Sequence, residues 1–244
     1  MSKIMKVSDE ALIDKMRASV IRKAIGPTIL LGSGTYFDFE DPESSEITIE
    51  DIAYGLAFEG RCAGQCYSRI LQQRVYYSVA EHCVRMSLAV APELALEALM
   101  HEVGEAVCGD MTAPLKSLNP SFKVIEKRCE AAILSRFGIE ITDPVELKKA
   151  DIRMLATERR DLLLWRGESW SLTDIEPYGF QIIPWSPEEA AMAFLNRYRE
   201  LTGGGDQEDL CSDCPGYDYP TDETRCGPCP RRAALADEGG REKP

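Results

Sequence analysis

The sequence predicts an all-α domain with a small N-terminal β-hairpin and a C-terminal four-cysteine tail, and three observations carry that expectation. From Thr48 to Leu201 apolar residues recur at helical spacing in successive segments, most of them opened by a capping residue or a proline. Thr28 to Phe39, rich in β-branched and aromatic residues, is short and broken by Gly32-Ser33-Gly34, the mark of a hairpin. Beyond Thr202 the run Gly203-Gly204-Gly205-Asp206 breaks the pattern, and the composition changes.

Residues 8–24 read as a short amphipathic helix through Leu12, Ile13, Met16, Val20 and Ile21, ended by Gly26-Pro27. After the hairpin, Asp41-Pro42 leads to a helix that starts at Thr48 and runs to about Glu59. Arg61 to Arg74 shows no period and reads as irregular; its Cys62 and Cys66 read as buried or free thiols. Ser78 and Glu81 stand as a capping box, Ser at the N-cap and Glu at N3, for a helix to about Val90. Pro92 suits the first turn of a helix over 92–108. Further helices are expected over 121–137, 143–166 (Asp143 at the N-cap, Pro144 at N1) and 187–201, with a Trp- and Pro-rich crossing before the last.

Composition narrows the function. The chain of 244 residues is 44% hydrophobic, enough for one sizeable core with appendages. A net charge of −13 argues against a broad nucleic-acid footprint, which needs a basic face. No run approaches the ~18 apolar residues of a membrane span, and the charged N-terminus lacks a secretory apolar stretch. Nine cysteines, four of them in CxxC pairs, point to a reducing compartment, with the cytoplasm as the default.

Chemistry concentrates between His82 and Lys116. At helical spacing Leu94, Ala98, His101, Glu102 and Glu105 share one face, which is apolar and then ionisable. Burying two carboxylates together costs several kcal/mol unless a cation or proton compensates them. Taken alone, that face reads equally as a solvated surface. The chain has only two histidines, His82 and His101, both in helices, and this favours a metal. Asp151 lies on the inward stripe of the 143–166 helix between Leu147 and Leu155 and needs a partner, either an arginine such as Arg128 or Arg153 or the same ion. Two imidazoles and two carboxylates suit Mn, Fe, Co or Zn with open positions better than Ca or Mg alone.

The tail holds Cys211-Ser212-Asp213-Cys214 and Cys226-Gly227-Pro228-Cys229, a CxxC-x11-CxxC spacing that can wrap one structural zinc. Four thiolates would close the coordination shell and leave a docking knuckle for a partner. A disordered tail with incidental cysteines is the alternative, given Pro215, Pro220, Pro228 and Pro230.

These blocks resemble the HD-domain metal-dependent phosphohydrolases. Tyr77-Ser78-Val79-Ala80-Glu81-His82, Leu99 to Ala106, and Gly109-Asp110-Met111-Thr112-Ala113-Pro114-Leu115-Lys116 are similar to that family's successive motifs. Lys149-Ala150-Asp151 is similar to its later helix, and Gly34-Thr35-Tyr36-Phe37-Asp38 resembles a phage and bacterial subgroup. The resemblance covers roughly residues 28–202, and its nearest characterised relatives are 5′-deoxynucleotidases and phage deoxynucleotide hydrolases. It implies an HD-domain helical bundle over 28–203, flanked by the N-terminal helix segment over 1–27 and the linker with the cysteine tail over 204–244 that the residues themselves suggest.

Carried over by position, the resemblance implies that His82, His101, Glu102 and Asp151 are metal ligands, with Mg also admitted as the ion. It implies that Glu105 orients or deprotonates the attacking water and that Asp110 is an acid near the leaving oxygen. Lys116, Lys123 and Arg61 would grip the phosphate or sugar of a small (deoxy)nucleotide. The expected activity is release of phosphate or polyphosphate; the alternative is an altered site that binds nucleotide or metal without turnover. Two positions depart from the family: Glu102 replaces its usual Asp, and Gln65 stands where a histidine is usual. The added methylene displaces the carboxylate by ~1.5 Å. Assembly into a homo-oligomer is left open.

Overall fold

The computed structural model describes residues 26–168, 170 and 175–203. The expected 8–24 helix and the four tail cysteines lie outside these residues. The described structure is mostly helical with a small N-terminal hairpin, β1 (Thr28–Leu30) paired antiparallel with β2 (Tyr36–Asp38). Then come α1 (Ile49–Phe58), a second hairpin of β3 (Tyr67–Ser68) and β4 (Gln73–Arg74), α2 (Val79–Ala89), α3 (Ala95–Met100) and α4 (Glu105–Cys108). The remaining helices are α5 (Ala113–Leu118), α6 (Pro120–Arg136), α7 (Pro144–Leu162) and α8 (Pro187–Thr202). Among the described residues no helix is long and apolar enough to cross a membrane. The chain divides into two compact units, Met1–Leu195 and Asn196–Pro244.

α1 opens on a reciprocal capping box. Thr48 Oγ1 accepts the Asp51 N–H at 3.0 Å, while Asp51 Oδ2 accepts the Thr48 N–H at 3.1 Å. The helix buries Ile52, Ala53, Leu56 and Ala57 against α2 and α4. Gly55 permits that approach, because a Cβ there would stand 2.7 Å from the Ala106 carbonyl oxygen. α2 lies along α3, and Cys83, Met86, Leu99 and Met100 are fully buried. Met86, Leu99 and Met100 each contribute roughly 1.5–3 kcal/mol by leaving water.

Four local expectations need correction. Glu81 does not complete a capping box for α2: Ser78 Oγ accepts its N–H at 3.1 Å, but its carboxylate turns to Arg85 and to the Trp185 N–H. The 92–108 segment is not one helix. A single 3-10 turn, Pro92–Leu94, precedes α3, and residues 101–104 interrupt the helix before α4. There Val103 and Glu105 donate to Met100 and Glu102, the tighter i→i+3 pattern. α7 stops at Leu162 rather than at 166. The reason is Arg69, whose N–H takes the Asp161 carbonyl and whose guanidinium takes those of Leu163 and Trp165. Finally, the irregular 61–74 stretch contains the β3–β4 hairpin, too short to show an alternating pattern.

Candidate metal centre

Three segments bring the donors together. α2 carries His82 one turn from its start, the turn after α3 carries His101 and Glu102, and α7 carries Asp151. α7 is set by its own N-cap, Asp143, which accepts from Val145 and Glu146 N–H. Buried Glu97 of α3 accepts the preceding Thr142 N–H at 2.9 Å, tying the start of α7 to α3.

One ligand atom from each of His82, His101, Glu102 and Asp151 lies within 4.8 Å of all the others. The two Nε2 atoms face each other at 3.3 Å, and His82 Nε2 is 3.4 Å from Asp151 Oδ1. His101 Nε2 is 3.5 Å from Glu102 Oε1. The opposite ring edges are anchored: His101 Nδ1–H donates to the Ala98 carbonyl at 2.8 Å, and His82 Nδ1–H to Glu158 Oε1 at 2.6 Å. With Nδ1 committed as donor on each ring, both Nε2 atoms are directed at the cluster, an arrangement that suits metal ligation.

The electrostatics fit a cation. Burial and Arg61 oppose protonation of His82, but Glu158 and Asp151 outweigh them and raise it to about 9. Burial lowers His101. Burial would raise Asp151, yet its hydrogen bond with the His82 ring holds it far below the usual carboxylate range. The metal-free centre thus gathers its lone pairs around a proton on His82, and a divalent ion would take that proton's place. This donor set therefore could hold a metal ion.

Around the cluster stand the other expected residues. Glu105 is buried, and burial with Glu102 and Asp110 pushes its carboxyl up to about 9. Lys116 Nζ lies 3.4 Å from Glu105 Oε1 and 2.6 Å from Glu126 Oε1, while Glu105 Oε2 is buried without a partner. Arg61 pairs with Glu158 at 3.3 Å and feels Glu102, Asp151 and Asp110. Asp110 is half-buried, and its N–H donates to Glu59 Oε1 at 3.1 Å. Gly109 before it, at φ +78°, makes the turn. Lys123 is exposed on α6 and takes no part in the contacts of the centre among the described residues. Gln65 is also exposed and accepts from Arg74.

Asp151 finds neither Arg128 nor Arg153. Its carboxylate meets His82 and, at 2.6 Å, Lys148. The residue that sequence reasoning missed is Glu158, fully buried between Arg61 and His82. Its signal was present: it follows Asp151 by two helical turns and so lies on the same face of α7.

Arg61 also leads into a strained turn. Cys62, Ala63 and Gly64 all have positive φ, +57°, +52° and +70°. Two consecutive non-glycine residues in the left-handed region cost roughly 1–2 kcal/mol each. The turn closes with Gln65 N–H on the Cys62 carbonyl at 3.0 Å.

No family model matches the chain. It is 38% identical over 172 residues to the Uncharacterized protein YfdR of Escherichia coli, a match that covers 70% of this chain and 93% of that protein. It is 36% identical over 126 residues to an uncharacterized protein of Rhodobacter capsulatus, covering 48% of this chain and 62% of the relative. Neither relative's name states an activity. With identity at that level across nearly all of YfdR, the chain belongs to the YfdR family.

Proposed function

We propose that the protein is a metal-dependent phosphohydrolase of the HD-domain type that releases phosphate or polyphosphate from a small (deoxy)nucleotide. The observation that supports this most is the convergence of His82, His101, Glu102 and Asp151 beside a buried, half-partnered Glu105. A divalent ion held by those four residues would supply Lewis acidity and a water of lowered pKa. The chain's own groups divide the remaining work. Glu105 Oε2 has no partner; a cation bound beside it would release the proton that burial and its acidic neighbours hold on the carboxyl, leaving that oxygen to accept the proton of the attacking water. Lys116 holds Oε1 and fixes the carboxyl plane. Arg61, charged and desolvated, stabilises phosphoryl charge, and Asp110 stands by for the leaving oxygen.

The test is phosphate release from a nucleotide panel by the purified chain with Mn, Co or Mg added, compared with His101→Ala and Glu105→Gln. Turnover by the parent that both variants lose supports the reading. Nucleotide binding without turnover under every metal would leave a binding module instead. The four tail cysteines are proposed to hold a structural zinc, and metal analysis of the chain with and without residues 204–244 separates that ion from one at the centre.

A further inference from the structure

Cys62 and Cys66 sit where a covalent change would be felt by the metal centre. The left-handed turn at residues 62–64 folds the chain back so that Cys66, fully buried in the core beside Tyr77 and Met86, packs against half-exposed Cys62. Cys62 packs against the buried cluster that holds Cys66, and Cys66 Sγ lies 3.8 Å from the Arg61 carbonyl oxygen. The residue before the turn, Arg61, is the ion-pair partner of Glu158, which in turn holds His82 Nδ1. Backbone strain at Cys62 and Ala63 has no use in joining α1 to the β3–β4 hairpin that a glycine would not serve better. It does fold a CxxxC pair back onto one buried cluster.

We infer that Cys62 and Cys66 form a dithiol oxidised by hydroperoxides to an intramolecular disulfide that shifts Arg61 and so weakens the centre. The accessible thiol is the attacking one. Cys62 is half-exposed and open to a dissolved peroxide, whereas Cys66 is fully buried and stands as the resolving thiol. In the first step the Cys62 thiolate sulfur bonds to one peroxide oxygen, the O–O bond breaks, and the leaving hydroxide takes a proton as water. Cys62 is then a sulfenic acid. Cys66 sulfur displaces its hydroxyl group, the thiol proton leaves with it as a second water, and the S–S bond closes. Two thiols are oxidised by two electrons and one hydroperoxide is reduced. Closure removes the Cys66 contact with the Arg61 carbonyl oxygen and re-forms the turn that positions the guanidinium. The disulfide itself is independent of the hydrolase reading, and only its effect on His82 rests on the metal centre.

The experiment treats the full-length, reduced protein with hydrogen peroxide, blocks remaining thiols, and maps peptides by mass spectrometry. The expected first product is a peptide linking Cys62 to Cys66, lighter by two hydrogens and restored by dithiothreitol. Cys66→Ser should stop at a sulfenic acid on Cys62, and Cys62→Ser should leave Cys66 reduced. Preferential oxidation of Cys108 or Cys129, or a 62–66 link found only in denatured protein, overturns the assignment. Manganese titration of the two redox forms tests the consequence: oxidation should weaken binding about tenfold, as loss of an outer partner of a ligand does. Equal affinity in both forms overturns the coupling. A reduced protein that binds no manganese counts against the metal centre while the peptide map still decides the disulfide.

Discussion

Glu158 Oε1 lies 2.6 Å from His82 Nδ1, and its other oxygen lies 3.3 Å from Arg61, so one buried carboxylate fixes both an imidazole ring of the cluster and a guanidinium. Glu158→Gln keeps the shape but removes the charge that holds the ring. Isothermal titration should show manganese binding weakened by about 10–100-fold, with the circular dichroism spectrum unchanged. Affinity equal to the parent's would mean that Glu158 serves only the Arg61 ion pair.

The approach of α1 to α4 gives a second expectation. A Cβ at position 55 meets the Ala106 carbonyl oxygen at 2.7 Å, and backbone cannot rotate aside as a side chain can. Gly55→Ala should therefore destabilise the protein by about 1–3 kcal/mol despite alanine's better helix propensity. Urea unfolding measures this, and a stabilised variant would show that the two helices are further apart.

The capping box of α1 sets a pH dependence. Burial would raise Asp51, but hydrogen bonds from Thr48 and Ser33 win and hold it below its ordinary 3.8. A depressed folded-state value means that the unfolded chain binds the proton more readily. Stability from this group is thus fully present above about pH 4 and is lost as pH falls through the lowered folded value. Asp51→Asn should cost about 0.5–2 kcal/mol near neutrality, and the difference in melting temperature from the parent should shrink below about pH 4. A constant difference from pH 7 to pH 3 would remove the carboxylate from the account.

Arg69 supplies the stop for α7. Its guanidinium receives the Leu163 carbonyl at 2.9 Å and also that of Trp165. Arg69→Met keeps the aliphatic stem but leaves those carbonyls unmatched. Hydrogen exchange should then accelerate at the C-terminal end of α7, around residues 159–162, and stay slow near Ala150. Uniform exchange along the helix would place the stop elsewhere.

Much of this arrangement was written in local sequence, and what was not has definite causes. Caps and apolar stripes announced α1, α2, α7 and α8, because these signals lie within a few residues of one another. His82, His101, Glu102 and Asp151 were legible as the only histidines and as carboxylates on inward faces. Glu158 escaped notice since a lone acid near a helix end reads as solvated until its distant partners, Arg61 and His82, are known. The interruption at 101–104 was hidden because apolar spacing continues across it, with Gly104 as its one trace. Asp151 reaches His82 and the cluster, and only its second contact, Lys148, was missed: Lys148 is its neighbour on the same helix, whereas Arg128 and Arg153 were chosen on charge alone.

That interruption carries a consequence for anyone seeking a hardier version of this protein. His101 and Glu102 are presented from a tighter i→i+3 turn rather than from a continuous helix, and a ligand atom of each still falls within the one cluster. Repairing the defect by propensity, starting with Gly104, would crowd the Glu126 carbonyl oxygen and Glu130. Here helix propensity and packing pull in opposite directions, and a choice made on propensity alone would favour a side chain for which the neighbouring helix leaves little room.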